Sequence, residues 1–78
     1  MKTSVIKMSA FTDYTLLATE ASKVDGDVTI FKGRYTVDAK SLPGIFSLDL
    51  SNGAKIEYPE DAFEFDQFLF KYKIKVEG

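Results

Sequence analysis

The side chains available for chemistry in this sequence are hydroxyls, carboxylates and amines, because it contains neither histidine nor cysteine. Histidine is the commonest general base and metal ligand near neutral pH, so most familiar catalytic constellations are excluded, as are disulfide frameworks and thiolate metal sites. Ser41 is the hydroxyl in the best-defined setting. It follows Lys40 and precedes Leu42-Pro43-Gly44-Ile45-Phe46, where Leu42, Ile45 and Phe46 recur at helical spacing and Pro43 fits only a first turn. The Ser41 oxygen is therefore expected on a helix N-terminus, as a cap worth about 1 kcal/mol relative to alanine. The carboxylates of Glu57, Glu60, Asp61, Glu64 and Asp66 suit a hard cation by type. They lack the loop spacing of a calcium motif and read as a solvated helix start, so no metal or cofactor is expected. Lys32-Gly33-Arg34 reads as a polar hairpin tip rather than an anion site.

The elements that must carry these residues follow from periodicity. Residues 2–8 are rich in β-formers around Val5 and Ile6 and predict an opening strand. Phe11, Tyr14, Leu17, Ala18, Ala21 and Val24 form one apolar stripe at intervals of three and four, predicting a helix from about residue 13 to 24 with Thr12 as its N-cap. Asp13 in its first turn and Lys23 in its last complement the helix dipole, and Gly26 lies just past its end. Residues 27–31 and 34–39 alternate as a hairpin, with Val28 and Ile30 on one face, Tyr35 and Val37 on one face of its partner, and Lys32-Gly33 at the turn. The short helix from Leu42 is expected to end near Leu50. Asn52-Gly53 then reverses the chain into a strand over Ala54–Tyr58 that Pro59 closes.

The last 20 residues carry two periodicities. As a helix, they show one stripe of Phe65, Phe68, Leu69, Tyr72 and Val76 and a second, opposite stripe of Phe63, Phe70 and Ile74. As a strand, Phe68, Phe70, Tyr72, Ile74 and Val76 alternate with Leu69, Lys71, Lys73 and Lys75. Acids first and lysines last match the macrodipole and favour the helix, giving the order βαββαβα. An exposed Phe63, Phe70 and Ile74 stripe predicts a second interface, for a dimer or a partner; the alternative is a bent, shorter or partly strand segment that buries them.

The 78 residues, 45 % apolar and 14 % aromatic, predict a single domain over 1–78 with one modest core. A net charge of −2 from 10 basic and 12 acidic residues gives no field attractive to nucleic acid. No apolar run approaches the roughly 20 residues that span a bilayer, and Met1-Lys2-Thr3 leads into a strand-like segment, so a cytoplasmic protein without membrane partners is expected.

Ala39-Lys40-Ser41-Leu42 followed by Gly44-Ile45-Phe46-Ser47-Leu48, together with the segments Gly26-Asp27-Val28-Thr29-Ile30 and Asn52-Gly53-Ala54-Lys55-Ile56, resembles HPr, the phosphocarrier family of the bacterial sugar phosphotransferase system. The resemblance implies an α+β fold: an HPr-like open-faced β-sandwich, with a four-stranded antiparallel sheet of order 1-4-2-3 and three helices on one face. It also implies a phosphoryl-carrying histidine at the start of the first helix. Ungapped alignment puts Ala10 at that histidine, Thr12 at a neighbouring arginine and Asp13 at a proline. A hydroxyl there would form a phosphoester too stable to pass on, and Asp13 would repel the incoming anion. Ser41 aligns with the family's regulatory serine, so it reads either as a cap alone or as a cap that is also a phosphorylation site. Lys40, Leu42, Pro43 and Phe46 are the implied partner contacts, with Leu42 the foremost; Ile45 and Phe46 are expected to pack on the sheet. Pro43 stands where the family usually presents a bulky Met or Phe.

The expected function is therefore that of a non-enzymatic regulatory or binding protein, monomeric or weakly dimeric, with HPr kinase or a catabolite-control transcription factor as implied partners. Two alternatives are a phosphocarrier using an unrecognised nucleophile and a non-catalytic dimerising or structural module.

Overall fold

These patterns resolve, in a computed structural model that describes residues 1–74, into β1 (Lys2–Ile6), α1 (Phe11–Ser22), β2 (Thr29–Lys32), β3 (Tyr35–Asp38), α2 (Leu42–Phe46), β4 (Ala54–Tyr58), α3 (Phe63–Leu69) and a closing 3-10 turn, Phe70–Tyr72. The strands form one antiparallel sheet in the order β1-β4-β2-β3. Register places Ile6 opposite Ala54, Ile30 opposite both Ile56 and Val37, and Lys2 opposite Tyr58. Because side chains alternate across a strand, Ile6, Ile30, Ala54, Ile56 and Tyr58 share the covered face while Thr3 and Lys55 point to the open one. The covered face meets Leu17, Ala18 and Ala21 of α1, Ile45 of α2, and Phe65 and Leu69 of α3 in one core. Lys55 lays its ammonium over the Phe31 ring on the open face, 4.7 Å from the centroid.

Several boundaries move from where periodicity puts them, each for a local reason. α1 begins at Phe11 and ends at Ser22, with Ala10 as N-cap and no side-chain capping bond, so Thr12 is not the cap. Phe11 belongs to the helix because its ring is held from outside by Phe46; it is exposed rather than part of the buried stripe. The hairpin turn is Gly33-Arg34, not Lys32-Gly33, since Gly33 at φ +59 is the residue that takes the left-handed conformation. Tyr35, at the hairpin end, is exposed rather than inward. β1 stops at Ile6, although the Met8 N–H still donates to Leu50 O at 3.0 Å. α2 closes at Phe46 instead of near Leu50. A helix continued to Leu50 would rotate that residue far from the Ile45 face; leaving the helix buries both Leu48 and Leu50.

The C-terminal segment follows its helical stripe and then turns extended for a single bridge to β1. Phe65, Leu69 and Tyr72 turn inward as the helical stripe predicts, with Phe68 packed against them, but the helix stops at Leu69 and Lys73 is extended. The segment then runs along the free edge of β1: the Lys7 N–H donates to Tyr72 O and the Ile74 N–H to Val5 O, each at 2.9 Å. Lys71 and Lys73 therefore follow the helix rather than complete its last turn; Lys75 and Val76 lie outside the described residues. The same change takes Ile74 out of the second stripe. Phe63 opens α3, Phe70 closes it, and Ile74 sits beside Gly53 and Val5 at the sheet edge. Phe63 and Phe70, two turns apart on one face of the helical run, are 72 % and 75 % exposed, whereas Ile74, 38 % exposed, lies beyond the helix and leaves that face.

Candidate functional site

α2 starts as a short, locally determined element. The Ser41 amide donates to Asp38 O at 3.0 Å, Ser41 Oγ accepts from the Gly44 N–H at 3.3 Å, and Ser41 O takes the Ile45 N–H at 3.0 Å. Pro43 lies in the first turn and is exposed, while Ser41 and Leu42 are half-buried and Ile45 is fully buried. A Cβ on Gly44 would lie 3.4 Å from Ser41 Oγ and 3.5 Å from Val37 Cβ, in ordinary contact with both, so the cap does not require glycine here. Lys40 does not face outward as a free contact: its ammonium donates to Val24 O at 2.8 Å and its amide to Asp38 Oδ1 at 2.9 Å. Its neighbour Ser41 keeps its hydroxyl next to the first-turn amides without a lysine hydrogen bond.

α1 starts by different means. Ala10 is exposed and contributes only its carbonyl, which accepts the Asp13 N–H at 3.0 Å. The Phe11 ring, 70 % exposed, stacks on Phe46 with centroids 4.5 Å apart and planes 17° from parallel. Tyr14 joins the pair at 5.9 Å from Phe46, and its hydroxyl accepts the Leu50 N–H at 3.0 Å. Phe46, 36 % exposed, thus lies on this stack and not in the sheet core where its spacing puts it. Asp13 is fixed from a residue distant in the chain, its Oδ1 accepting from Tyr72 Oη at 2.8 Å. Burial of Tyr72, reinforced by that hydrogen bond and the Asp13 charge, pushes the phenol up to about 12.

Together the start of α1 and the short α2 present an exposed aromatic pair, a nearby leucine and proline, and a serine hydroxyl on a helix end. That surface can bind an apolar partner, and its hydroxyl can accept a group. The start of α1 offers the exposed hydroxyls of Ser9 and Thr12 beside the Asp13 carboxylate, and a chain without histidine has no imidazole nucleophile to place there.

The acidic residues near the C-terminal end separate into different roles. Asp66 is a structural hub: its Oδ1 accepts from Lys73 Nζ at 2.8 Å and from Tyr58 Oη, and Lys2 Nζ lies 3.1 Å from its Oδ2. The Lys73 and Tyr58 hydrogen bonds hold its carboxyl well below the usual carboxylate range. Burial and the bond to Asp66 raise the fully buried Tyr58 phenol, which also meets Ser4 Oγ at 2.9 Å. Glu60 pairs with the Met1 amino group at 3.3 Å. Among the described residues no three acidic, histidine or cysteine side chains converge as a metal site would require. Neither the Phe11–Phe46 stack nor the special place of Asp66 has a sign in local sequence, since both depend on residues brought together across the chain.

A four-stranded antiparallel sheet of order 1-4-2-3 under three helices, with a serine-capped short helix beside the start of the first long one, defines an HPr-like α+β protein. A family model described as the PTS HPr component phosphorylation site matches residues 14–58, and the chain belongs to the HPr family. That span includes Ser41 and begins after residues 10–13. Among solved structures, HPr-C-His from Thermoanaerobacter tengcongensis is similar at 28 % identity and a TM-score of 0.75, over 91 % of this chain and 89 % of that one. The phosphocarrier protein HPr from Bacillus anthracis strain Ames is similar at 25 % identity and a TM-score of 0.67, over 91 % of this chain and 95 % of that one. No curated protein matches significantly. Among the described residues, no helix is long and apolar enough to cross a membrane.

Proposed function

We propose that this chain acts as a binding member of the HPr family, docking partner proteins of the sugar phosphotransferase network through Phe11, Leu42, Pro43 and Phe46, with Ser41 as the position of regulatory phosphorylation. The observation that carries this reading is the exposed Phe11–Phe46 stack immediately beside Ala10, in a chain that contains no histidine. Relay between proteins needs a nitrogen whose phosphoramidate is readily passed on, with donors to hold the phosphate. Here the corresponding position is a methyl group, its neighbour is an aromatic ring, and the Asp13 carboxylate opposes a second anion. The surface is suited to binding rather than to carrying.

Phosphate on Ser41 Oγ would add roughly −1.5 to −2 charges where the Gly44 amide already donates, so the modified residue still caps α2. The event changes the charge of the docking face and leaves the fold intact. The partners that fit are HPr kinase and a catabolite-control transcription factor, in the cytoplasm. Incubation with HPr kinase and ATP, followed by mass spectrometric localisation, should place one phosphate on Ser41 and none on the Ser41→Ala variant. An unlabelled wild-type chain removes the switch and leaves a binding module. Labelling by phosphoenolpyruvate and enzyme I would instead identify a carrier with an oxygen nucleophile and overturn the reading.

A further inference from the structure

At the opposite end of α1 from the aromatic stack, the last turn of that helix and the first turn of α3 leave a groove of about 410 Å³. Its floor is apolar, from Val24, Ala62 and Phe65, and its rim carries Asp25, Asp61 and Glu64. Phe63 lines it as well, 72 % exposed, although Phe65 and Leu69 already supply the buried face of α3. The lysine lining the groove, Lys23, is engaged by Glu20 at 3.0 Å, whereas Asp25, Asp61 and Glu64 form no ion pair among the described residues. An exposed ring beside three carboxylates without an ion pair among the described residues, over an apolar floor, is complementary to a flat cation with an apolar neighbour.

We propose that this groove docks a basic, arginine-bearing segment of a partner protein. The guanidinium stacks on Phe63 and directs its fork of N–H donors to Asp61, Glu64 or Asp25, while an adjacent aliphatic side chain covers Val24 and Ala62. The groove lies roughly 14 Å along α1 from Phe11, taking 1.5 Å per residue to Glu20, and the Lys40 ammonium on Val24 O links its floor to the residue before Ser41. Its lining includes no residue of the aromatic stack.

The test is a titration of the full, isotope-labelled chain with a short peptide alternating arginine and leucine, followed by amide chemical shifts. Saturable shifts should cluster at residues 20–25 and 61–65. Affinity should fall by about tenfold for Phe63→Ser and again for the pair Asp61→Asn and Glu64→Gln, and should weaken when lysine replaces arginine in the peptide. Phe63→Ser removes an exposed ring, and an unchanged amide spectrum away from α3 verifies its fold. Shifts spread over the whole acidic surface, equal weakening by the distant control Glu57→Gln, or unchanged binding by Phe63→Ser would overturn the proposal. Concentration-dependent shifts at the same residues without peptide would assign the groove to a second copy of this chain and overturn it also.

Discussion

The first turn of α1 meets the last residue of α2, where Phe46 stacks on Phe11 and Tyr14, yet the two helices begin by opposite means. α2 is anchored within residues 38–45, by the Ser41 cap, the Asp38 carbonyl and a first-turn proline. α1 has no side-chain cap; Tyr72 reaches its Asp13 and Phe46 covers its first ring, while Leu50 bonds its Tyr14. A helix end fixed by its own neighbours can carry a change at its surface with little structural effect. One fixed from elsewhere is only as firm as the segments that hold it.

The largest test of this contrast is Asp66→Asn. Asp66 holds Lys73 beside β1 and so supports the segment that brings Tyr72 to Asp13; its loss should destabilise the chain by about 2–3 kcal/mol in urea titrations. The pH dependence has a definite sign. Because the folded-state pKa of Asp66 is depressed, its contribution is complete above the unfolded carboxylate range and declines as pH falls below about 5, continuing down through the folded pKa. Wild-type stability should fall in acid and the Asn variant should show a shallower fall.

Next comes Tyr72→Phe, expected to lose about 1–2 kcal/mol by leaving Asp13 without its phenol donor. Tyr72 has a raised pKa, so the wild-type contribution is complete below about pH 10 and is lost as pH rises through about 12. Amide exchange should quicken in the first turn of α1 and not in α2; equal quickening in both would break the contrast. Phe46→Ala should cost about 1–2 kcal/mol, since its ring is partly exposed but stacks on Phe11 and Tyr14, while abolishing binding at the docking face. Ser41→Ala should cost about 1 kcal/mol, and Ser41→Asp, which retains a capping oxygen, less than half of that. A loss at Ser41 exceeding that at Asp66 would reverse the assignment of local and distant anchoring.

This difference in anchoring also explains what can be read from the chain. The Ser41 start and the buried faces of α1 and α3 are legible because caps and helical stripes are short-range signals. The sheet order is not such a signal, and it comes with the family resemblance. The start of α1 is misplaced by local pattern because Thr12 looks like a cap, and the stack that actually keeps Phe11 helical comes from residue 46. Asp66 is indistinguishable by type from Asp61 and Glu64, and only the approach of Lys2, Tyr58 and Lys73 gives it a different role. In the C-terminal segment the helical stripe holds through Tyr72, and the chain then leaves it for a single bridge at Lys73, so the strand alternation is not the pattern that is used.

The bonds from Tyr72 to Lys7 and Asp13 and from Ile74 to Val5 have a consequence during synthesis. The hairpin and α2 contain their own partners and can form as the chain emerges, but β1 must wait for β4 and then for the segment after α3 to close its edge. A chain truncated after β4 would hold its opening strand paired on one side only, with the first turn of α1 unlatched. The contacts of residues 72–74 are thus what completes the part of the chain made first.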